Sequence, residues 1–283
     1  MQRIVYLNGE YLPENEAKIS IFDRAVLFGD AIYEVAGVME GKLLDFDLHI
    51  QRYHRSLTEL NIQTPLDRDQ ILGAFRKLVE LNQIKDGIVY LQITRGEAER
   101  DFVWQDGLQP TVFMFAQHTP LYENEMVETG VKLKSVDDIR WARRDIKTVN
   151  LLGQVLAKKI ASDAGADEAL MIDRDGYITE CGCTTFFIVK DNLLLTRPLS
   201  NDILPGVTRQ ALIELCTTHG IRLVESKFSL EEALSAEEAF ISGASSLFPV
   251  VAIDGQKIGG GIIGPLFQKL RSIYIDHARK NSI

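Results

Sequence analysis

The chain has 283 residues, of which 46% are apolar and 25% charged, and its formal net charge is −9. That is enough apolar sequence for two domains, each with its own core. The acidic balance argues against a nucleic-acid partner, which needs a basic face, but a few well-placed arginines can still attract a small anionic substrate.

The chain opens with "RIVYLNGEYL", a strand, an Asn-Gly turn and a strand. "AIYEVAGVMEGKLLDF" predicts a second hairpin, turning at Glu40-Gly41. His49, Ile50, Tyr53, Leu57 and Leu60 recur at helical spacing, with Asp47 as the expected N-cap. A second helix follows Asp67 through Ile71, Phe75, Leu78 and Leu81. "GIVYLQITRG" and "PTVFMFAQ" are β-branched and aromatic, hence strands. The polar segment "HTPLYENEMVETG" breaks the pattern, so we expect an N-terminal domain over 1–118, a linker over 119–126 and a C-terminal domain over 127–283.

After the linker, "VKLKSVD" predicts a strand and 149–163 a helix. The stripe Leu151, Leu152, Val155, Leu156 and Ile160 on that helix is expected to be core. "DEALMID", "DGYITE" and "TTFFIVKDNLLLTR" are strand-rich. "GVTRQALIELCTTHG" is a helix closed by Gly220, and a strand–helix–strand block and a terminal helix "GPLFQKLRSIYIDHARK" complete the chain. Clustered rather than alternating elements favour α+β over a doubly wound parallel sheet.

Walker A, GxGxxG and HExxH motifs are absent, and the five histidines lack ligand spacing. Cys181, Cys183 and Cys216 form no CxxC pair, which fits a reducing compartment and no metal. No run approaches the roughly 20 apolar residues of a bilayer span, and "MQRIVYLNGEYL" lacks a signal peptide's apolar core. A cytoplasmic protein without a membrane partner is expected.

Five features could carry chemistry. Lys147, beside an apolar helix, reads either as a solvated residue or as an amine whose charged form burial destabilises. Glu180, followed by the small residues "CGCTT", is either an exposed loop acid or a carboxylate with room for a flat ligand above it. In "LPGVTRQAL", Pro205-Gly206 turn, Thr208 can cap, and the helix start presents free N–H groups suited to phosphate. Arg52 is a surface ion-pair residue or an anion ligand. "SGASS" at 242–246 is a tight turn or a second phosphate cradle. A lysine amine, a ring-facing carboxylate and several phosphate donors are the parts that hold pyridoxal phosphate.

The chain resembles the fold-type IV pyridoxal-phosphate enzymes, most closely the bacterial D-amino acid aminotransferases, from end to end. The resemblance is carried by "DRAVLFGDAIYEV", "HIQRYHRS", "YLQITRG", "DIRWARRDIKTVNLLGQVLAK", "ITECGCTTFF", "ILPGVTR" and "ISGASSLFPV" in that order. It implies a two-domain α+β fold with the cofactor between the domains, and a homodimer. It implies Lys147 as the Schiff-base lysine, which also moves the substrate proton, and Glu180 as the partner of the ring nitrogen. Arg52, Val207, Thr208, Ala244 and Ser245 would bind the phosphate. Leu204 would pack on the ring, and Tyr33 and Arg100 would meet the substrate. The implied reaction is transamination of a D-amino acid with a 2-oxo acid.

The chain departs from the family pattern in three places. Phe102 stands where an arginine–histidine carboxylate trap has its histidine, leaving Arg100 alone or in solvent. Ala244 replaces a threonine, and "CGCTT" replaces a serine-rich run. On the same scaffold the alternatives are a branched-chain L-aminotransferase, an (R)-amine transaminase and an aminodeoxychorismate lyase. A non-catalytic cofactor-binding protein is disfavoured by the presence of both Lys147 and Glu180.

Overall fold

The computed structural model describes residues 2–283, and the chain divides into two compact units. The first holds the chain up to Leu121, together with Ile146–Asn150 and Asn281–Ile283. The second holds Tyr122–Asp145 and Leu151–Lys280. Helices and strands cluster as in an α+β fold, as expected.

In the first unit the elements are β1 (Ile4–Leu7), β2 (Glu10–Pro13), α1 (Arg24–Phe28), β3 (Ala31–Met39), β4 (Lys42–Leu43), α2 (Phe46–Glu59), α3 (Arg68–Leu81), β5 (Gly87–Thr94) and β6 (Val112–His118). Their strands form an antiparallel sheet in the order β2-β1-β6-β5-β3-β4. Asn8 (φ 48°) and Gly9 (φ 102°) both take the positive φ that a two-residue hairpin turn with the right twist requires. The capping box of α3 joins Asp67 and Gln70 reciprocally. The cap of α2 differs from expectation. Asp45, in a left-handed conformation and without a side-chain cap bond, precedes the helix. Asp47 lies in the first turn, where its charge suits the helix dipole and accepts from Arg68. Tyr53, Phe75 and Leu78 of the two helices pack with Ile32, Val89, Leu91 and Met114 of the sheet.

The short segment Ile146–Asn150 belongs to this first unit, although the expected boundary puts it in the second domain. Its backbone adds to the end of β3. The Tyr33 N–H donates to the Lys147 carbonyl at 2.9 Å, the Val149 N–H donates to the Ala31 carbonyl at 3.2 Å, and Ile32 bridges Thr148.

The second unit continues with α4 (Met126–Thr129), β7 (Val131–Asp137), α5 (Leu152–Asp163), β8 (Glu168–Ile172), β9 (Ile178–Cys181), β10 (Thr185–Lys190), β11 (Leu193–Thr196), α6 (Val207–Thr218), β12 (Leu223–Glu225), α7 (Leu230–Leu234), β13 (Glu238–Gly243), β14 (Ser246–Ile253), β15 (Gln256–Lys257) and α8 (Pro265–Asn281). Its mixed sheet runs β12-β11-β10-β13-β14-β7-β8-β9, with β15 paired to β14. Phe186, Ile188, Phe228 and Ile241 lie in its core. Gly220 takes the left-handed conformation just past α6, as its position predicts.

Helix α5 corrects the expectation for its apolar stripe. Leu152, Val155, Leu156 and Ile160 are 46–70% exposed. The buried face is Ala157 and Ala161, packed on Ala169 and Met171. Small side chains let the helix lie close on β7 and β8, so the bulky apolar face points the other way. Among the described residues no helix is long and apolar enough to cross a membrane.

Candidate active site

In the first unit, Lys147 is half-buried in the non-helical segment that bonds to β3. Its N–H donates to Ser56 Oγ at 3.4 Å, and its Nζ stands 4.1 Å from the centre of the Tyr33 ring. Tyr33 is stacked on Tyr90, which is stacked in turn on Phe115. An ammonium over an aromatic face is attracted to the ring's negative face, so Tyr33 orients the lysine in a defined direction.

The next residue of β3, Glu34, points to the opposite side by strand alternation and is buried. It accepts from Arg52 Nε at 2.8 Å and Nη2 at 2.7 Å, and lies 2.8 Å from His49 Nδ1. Burial alone would raise the Glu34 carboxyl. Arg52, through charge and hydrogen bonds, and then His49 outweigh that and hold it at about 2. Arg52 is therefore neither exposed nor loosely paired, and its guanidinium plane is set by a bidentate partner.

Arg100 is exposed, with its guanidinium over the rings of Phe28 and Phe102 at 5.6 and 5.5 Å. Arg24 donates to the Asp101 carbonyl at 2.6 Å, and Arg95 lies 4.0 Å over Trp104. Both arginines also bond Asp30. The loop carrying Arg100 and Phe102 is thus held to its unit by cations at its root, while Phe102 itself is 75% exposed.

In the second unit, Glu180 of β9 is buried and fixed from two sides. The Leu204 N–H donates to both carboxylate oxygens, at 3.2 and 3.3 Å, and Arg140 Nη1 donates to Oε1. Arg140 also grips Asp138 through Nε at 2.9 Å and Nη2 at 2.7 Å, and Thr179 Oγ1 donates to Asp138 at 2.7 Å. Burial pushes the Glu180 carboxyl above the ordinary carboxylate range. Arg140 and the Leu204 N–H pull it back without cancelling that push, and Asp138 adds to it. Asp138 goes the other way: burial would raise it, but Arg140, Thr179 and Arg144 hold it below its ordinary value.

Sequence reasoning missed Arg140 and Asp138 as site residues. Both lie in the stretch "DIRWARRD", and the available signal was an acid and a base two residues apart beside an apolar strand.

The start of α6 and the β13–β14 turn form one cluster. Gly206, not Thr208, is the N-cap of α6 and offers no side-chain cap bond. The first N–H groups of the helix, including those of Val207 and Thr208, therefore lack intrahelical partners. Thr208 Oγ1 instead accepts from the Ser245 N–H at 3.1 Å. Ala244 (φ 46°) and Ser245 (φ 61°) turn the hairpin in the left-handed region. The hydroxyls of Ser245, Ser242 and Thr184 are buried with no hydrogen-bond partner. Buried polar groups are seldom left so.

The residues fit a phosphate monoester carried on a pyridine ring. Orphaned hydroxyls and a helix N-terminus are the donor set for a phosphate. A buried carboxylate fixed by a cation and an N–H suits a protonated ring nitrogen.

The model of the family described as amino-transferase class IV matches residues 31–253. The chain belongs to the class IV aminotransferases. A D-alanine aminotransferase of Bacillus licheniformis is 37% identical over 280 residues, covering 99% of this chain and 96% of that protein. The branched-chain amino acid aminotransferase of Escherichia coli superposes with a TM-score of 0.92 at 26% identity, over 98% of this chain and 95% of that one. A branched-chain amino acid aminotransferase of T.th., solved with pyridoxamine 5'-phosphate, gives a TM-score of 0.90 at 25% identity, over 98% and 94%. The class IV aminotransferase is thus a pyridoxal-phosphate enzyme of fold type IV, as the sequence resemblance implied.

Proposed function

We propose that this class IV aminotransferase moves an amino group from a D-amino acid, D-alanine being the first candidate, to a 2-oxo acid, with Lys147 and Glu180 as its central residues. The likeness to D-alanine aminotransferases across nearly the whole chain supports the substrate class. The observation that carries the cofactor assignment is Glu180, a buried carboxylate fixed by Arg140 and the Leu204 N–H. Bound pyridoxal phosphate supplies an aldehyde for the amino group and a ring that accepts the electron pair of the Cα–H bond.

The chain's residues do the rest. Lys147 would hold the cofactor's aldehyde through its amine and, once freed by the substrate, would act as base and then acid at Cα. Tyr33 orients its Nζ. Glu180, in its ionised form and fixed by Arg140 and the Leu204 N–H, would hold a proton at the ring nitrogen. In the second unit the N–H groups of Val207 and Thr208 and the Ala244-Ser245 turn would hold the phosphate and Leu204 would pack on the ring; Arg52 of the first unit is a further candidate anion ligand. Arg100 attracts the substrate carboxylate without help from Phe102, which has no proton to donate.

The working unit is a homodimer in the cytoplasm. The exposed apolar face of α5 supports dimerisation, as do the exposed apolar side chains of Ile21, Phe22, Val26 and Val103 in the first unit. Cys181, Cys183 and Cys216 are in no disulfide, which supports a reducing compartment.

The second reading, a branched-chain L-aminotransferase, is favoured by the TM-score of 0.92 to the E. coli enzyme. D-Alanine and L-leucine, each paired with 2-oxoglutarate, separate the two. Pyruvate from D-alanine is expected, and it should vanish in Lys147→Ala together with the near-visible absorbance of lysine-bound cofactor. Oxo-acid from L-leucine alone would overturn the D-specific reading.

A further inference from the structure

We propose that Tyr122 is a positioning residue that holds the phosphate-binding turn in its working shape, and so controls how long the enzyme retains a phosphate-bearing cofactor. This rests on the assignment of the Ala244-Ser245 turn to the cofactor phosphate.

Two consecutive non-glycine residues, Ala244 and Ser245, sit at positive φ. Each carries a Cβ that disfavours this conformation, so the surroundings must over-determine it. Neither is Asn or Gly, the residues that adopt such turns readily. The main chain of Ser245 is clamped at both of its polar atoms. Its N–H donates to Thr208 Oγ1 at 3.1 Å, and its carbonyl accepts from the Tyr122 hydroxyl at 2.8 Å.

Thr208 stands at the start of α6, so its clamp comes from within the phosphate-binding cluster. Tyr122 is remote in sequence and is itself anchored. Arg271 of α8 donates from Nη2 to the Tyr122 carbonyl at 2.7 Å. The phenol thus transmits the fixed position of α8 to the turn. The beneficiary is the Ser245 side chain, which is 1% exposed and whose hydroxyl has no protein partner. A buried, unpartnered hydroxyl on a doubly clamped residue is preorganised to donate to a ligand oxygen.

Replacing the phenol by phenyl keeps the ring and removes one hydrogen bond. A neutral hydrogen bond of this kind changes an equilibrium by about 3- to 10-fold. The experiment loads wild type and Tyr122→Phe with pyridoxal phosphate or with pyridoxal. It follows cofactor loss by absorbance during dialysis and records the 31P resonance of the bound phosphate. The expected result is about 3- to 10-fold faster loss of pyridoxal phosphate, a displaced 31P resonance and unchanged retention of pyridoxal. Arg271→Met should move the same readouts in the same direction by a smaller factor.

Equal loss of both cofactors in Tyr122→Phe would reduce Tyr122 to a structural residue and overturn the proposal. So would wild-type retention with an unmoved resonance. A wild-type enzyme that holds pyridoxal as well as pyridoxal phosphate would instead remove the phosphate assignment on which the proposal stands.

Discussion

Each unit buries an arginine against a glutamate, and the two carboxyls are driven in opposite directions. Glu34 takes Arg52 through two nitrogens, with His49 adding a third contact. It is held down at about 2. Glu180 shares Arg140 with Asp138, which takes the guanidinium through two nitrogens and leaves Glu180 one. Its carboxyl is raised. Burial opposes ionisation in both places, so the division of the cation decides the outcome. A carboxylate gripped by two nitrogens of its cation is held as a fixed charge, whereas one that shares its cation with a second acid is held less firmly in its ionised form. The first arrangement suits a residue that holds Arg52 in place, and the second leaves Glu180 room for a further cationic partner such as a protonated ring nitrogen.

The largest effect expected from this contrast is on turnover. Glu180→Gln keeps the shape and the Leu204 contact but cannot hold a proton at the ring. Transamination should fall by about 10³-fold, the size seen when a preorganised charge partner is removed. Folding stability should change little, because neutralising a carboxyl that burial already disfavours is nearly cost-free. Single-turnover absorbance changes with D-alanine check the first statement and thermal unfolding the second. A near wild-type rate would break the contrast, since Glu180 would then be as inert as Glu34.

The Glu34 cluster should act on stability instead. Its carboxyl falls from an ordinary 4.5 in the unfolded chain to about 2 in the folded one. Between those values the unfolded chain binds more protons, so stability is fully present above pH 4.5 and is lost as pH falls toward 2. The drop is on the order of 3 kcal/mol for a shift of that size. Glu34→Gln should lower stability at neutral pH, because Arg52 loses its partner carboxylate, and should flatten the slope between pH 4.5 and 2. Denaturant midpoints across that window test it, and an unchanged slope in the variant would assign the acid sensitivity elsewhere.

The fold was legible wherever local chemistry decides it. Asn8-Gly9 marks a turn because both residues tolerate positive φ, and Asp67 with Gln70 marks a helix start because the two side chains cap each other. Helix α5 departs from expectation because periodicity identifies an apolar face but not what covers it. Ala157 and Ala161 are buried there, and Leu152 and Val155 are exposed. Local sequence context singles out Lys147 and Glu180 but leaves each open to a bland reading, and their roles rest on the family resemblance. Arg140 was invisible because its meaning depends on Glu180, 40 residues further along the chain. The pairing of Glu34 with Arg52 was hidden for the same reason, with a strand residue meeting a helix residue 18 positions away.

The smallest expected effect isolates the sharing itself. Asp138→Asn removes the competing charge near Glu180 while keeping an amide that can bond Thr179. Arg140 is then released to serve Glu180 more fully, and the repulsion that helped raise the Glu180 carboxyl is gone. The carboxyl should move down toward its ordinary range. Because activity needs Glu180 ionised, the acid limb of the rate profile should shift to lower pH, with little change in the plateau rate. The same substitution should also remove the acid-side stability that Asp138 itself contributes, its carboxyl lying below its ordinary value, while leaving the Glu34 contribution in place. Rate profiles of the two proteins over the acid range provide the measurement. An unmoved limb would mean that burial alone raises Glu180 and that division of the Arg140 charge does not.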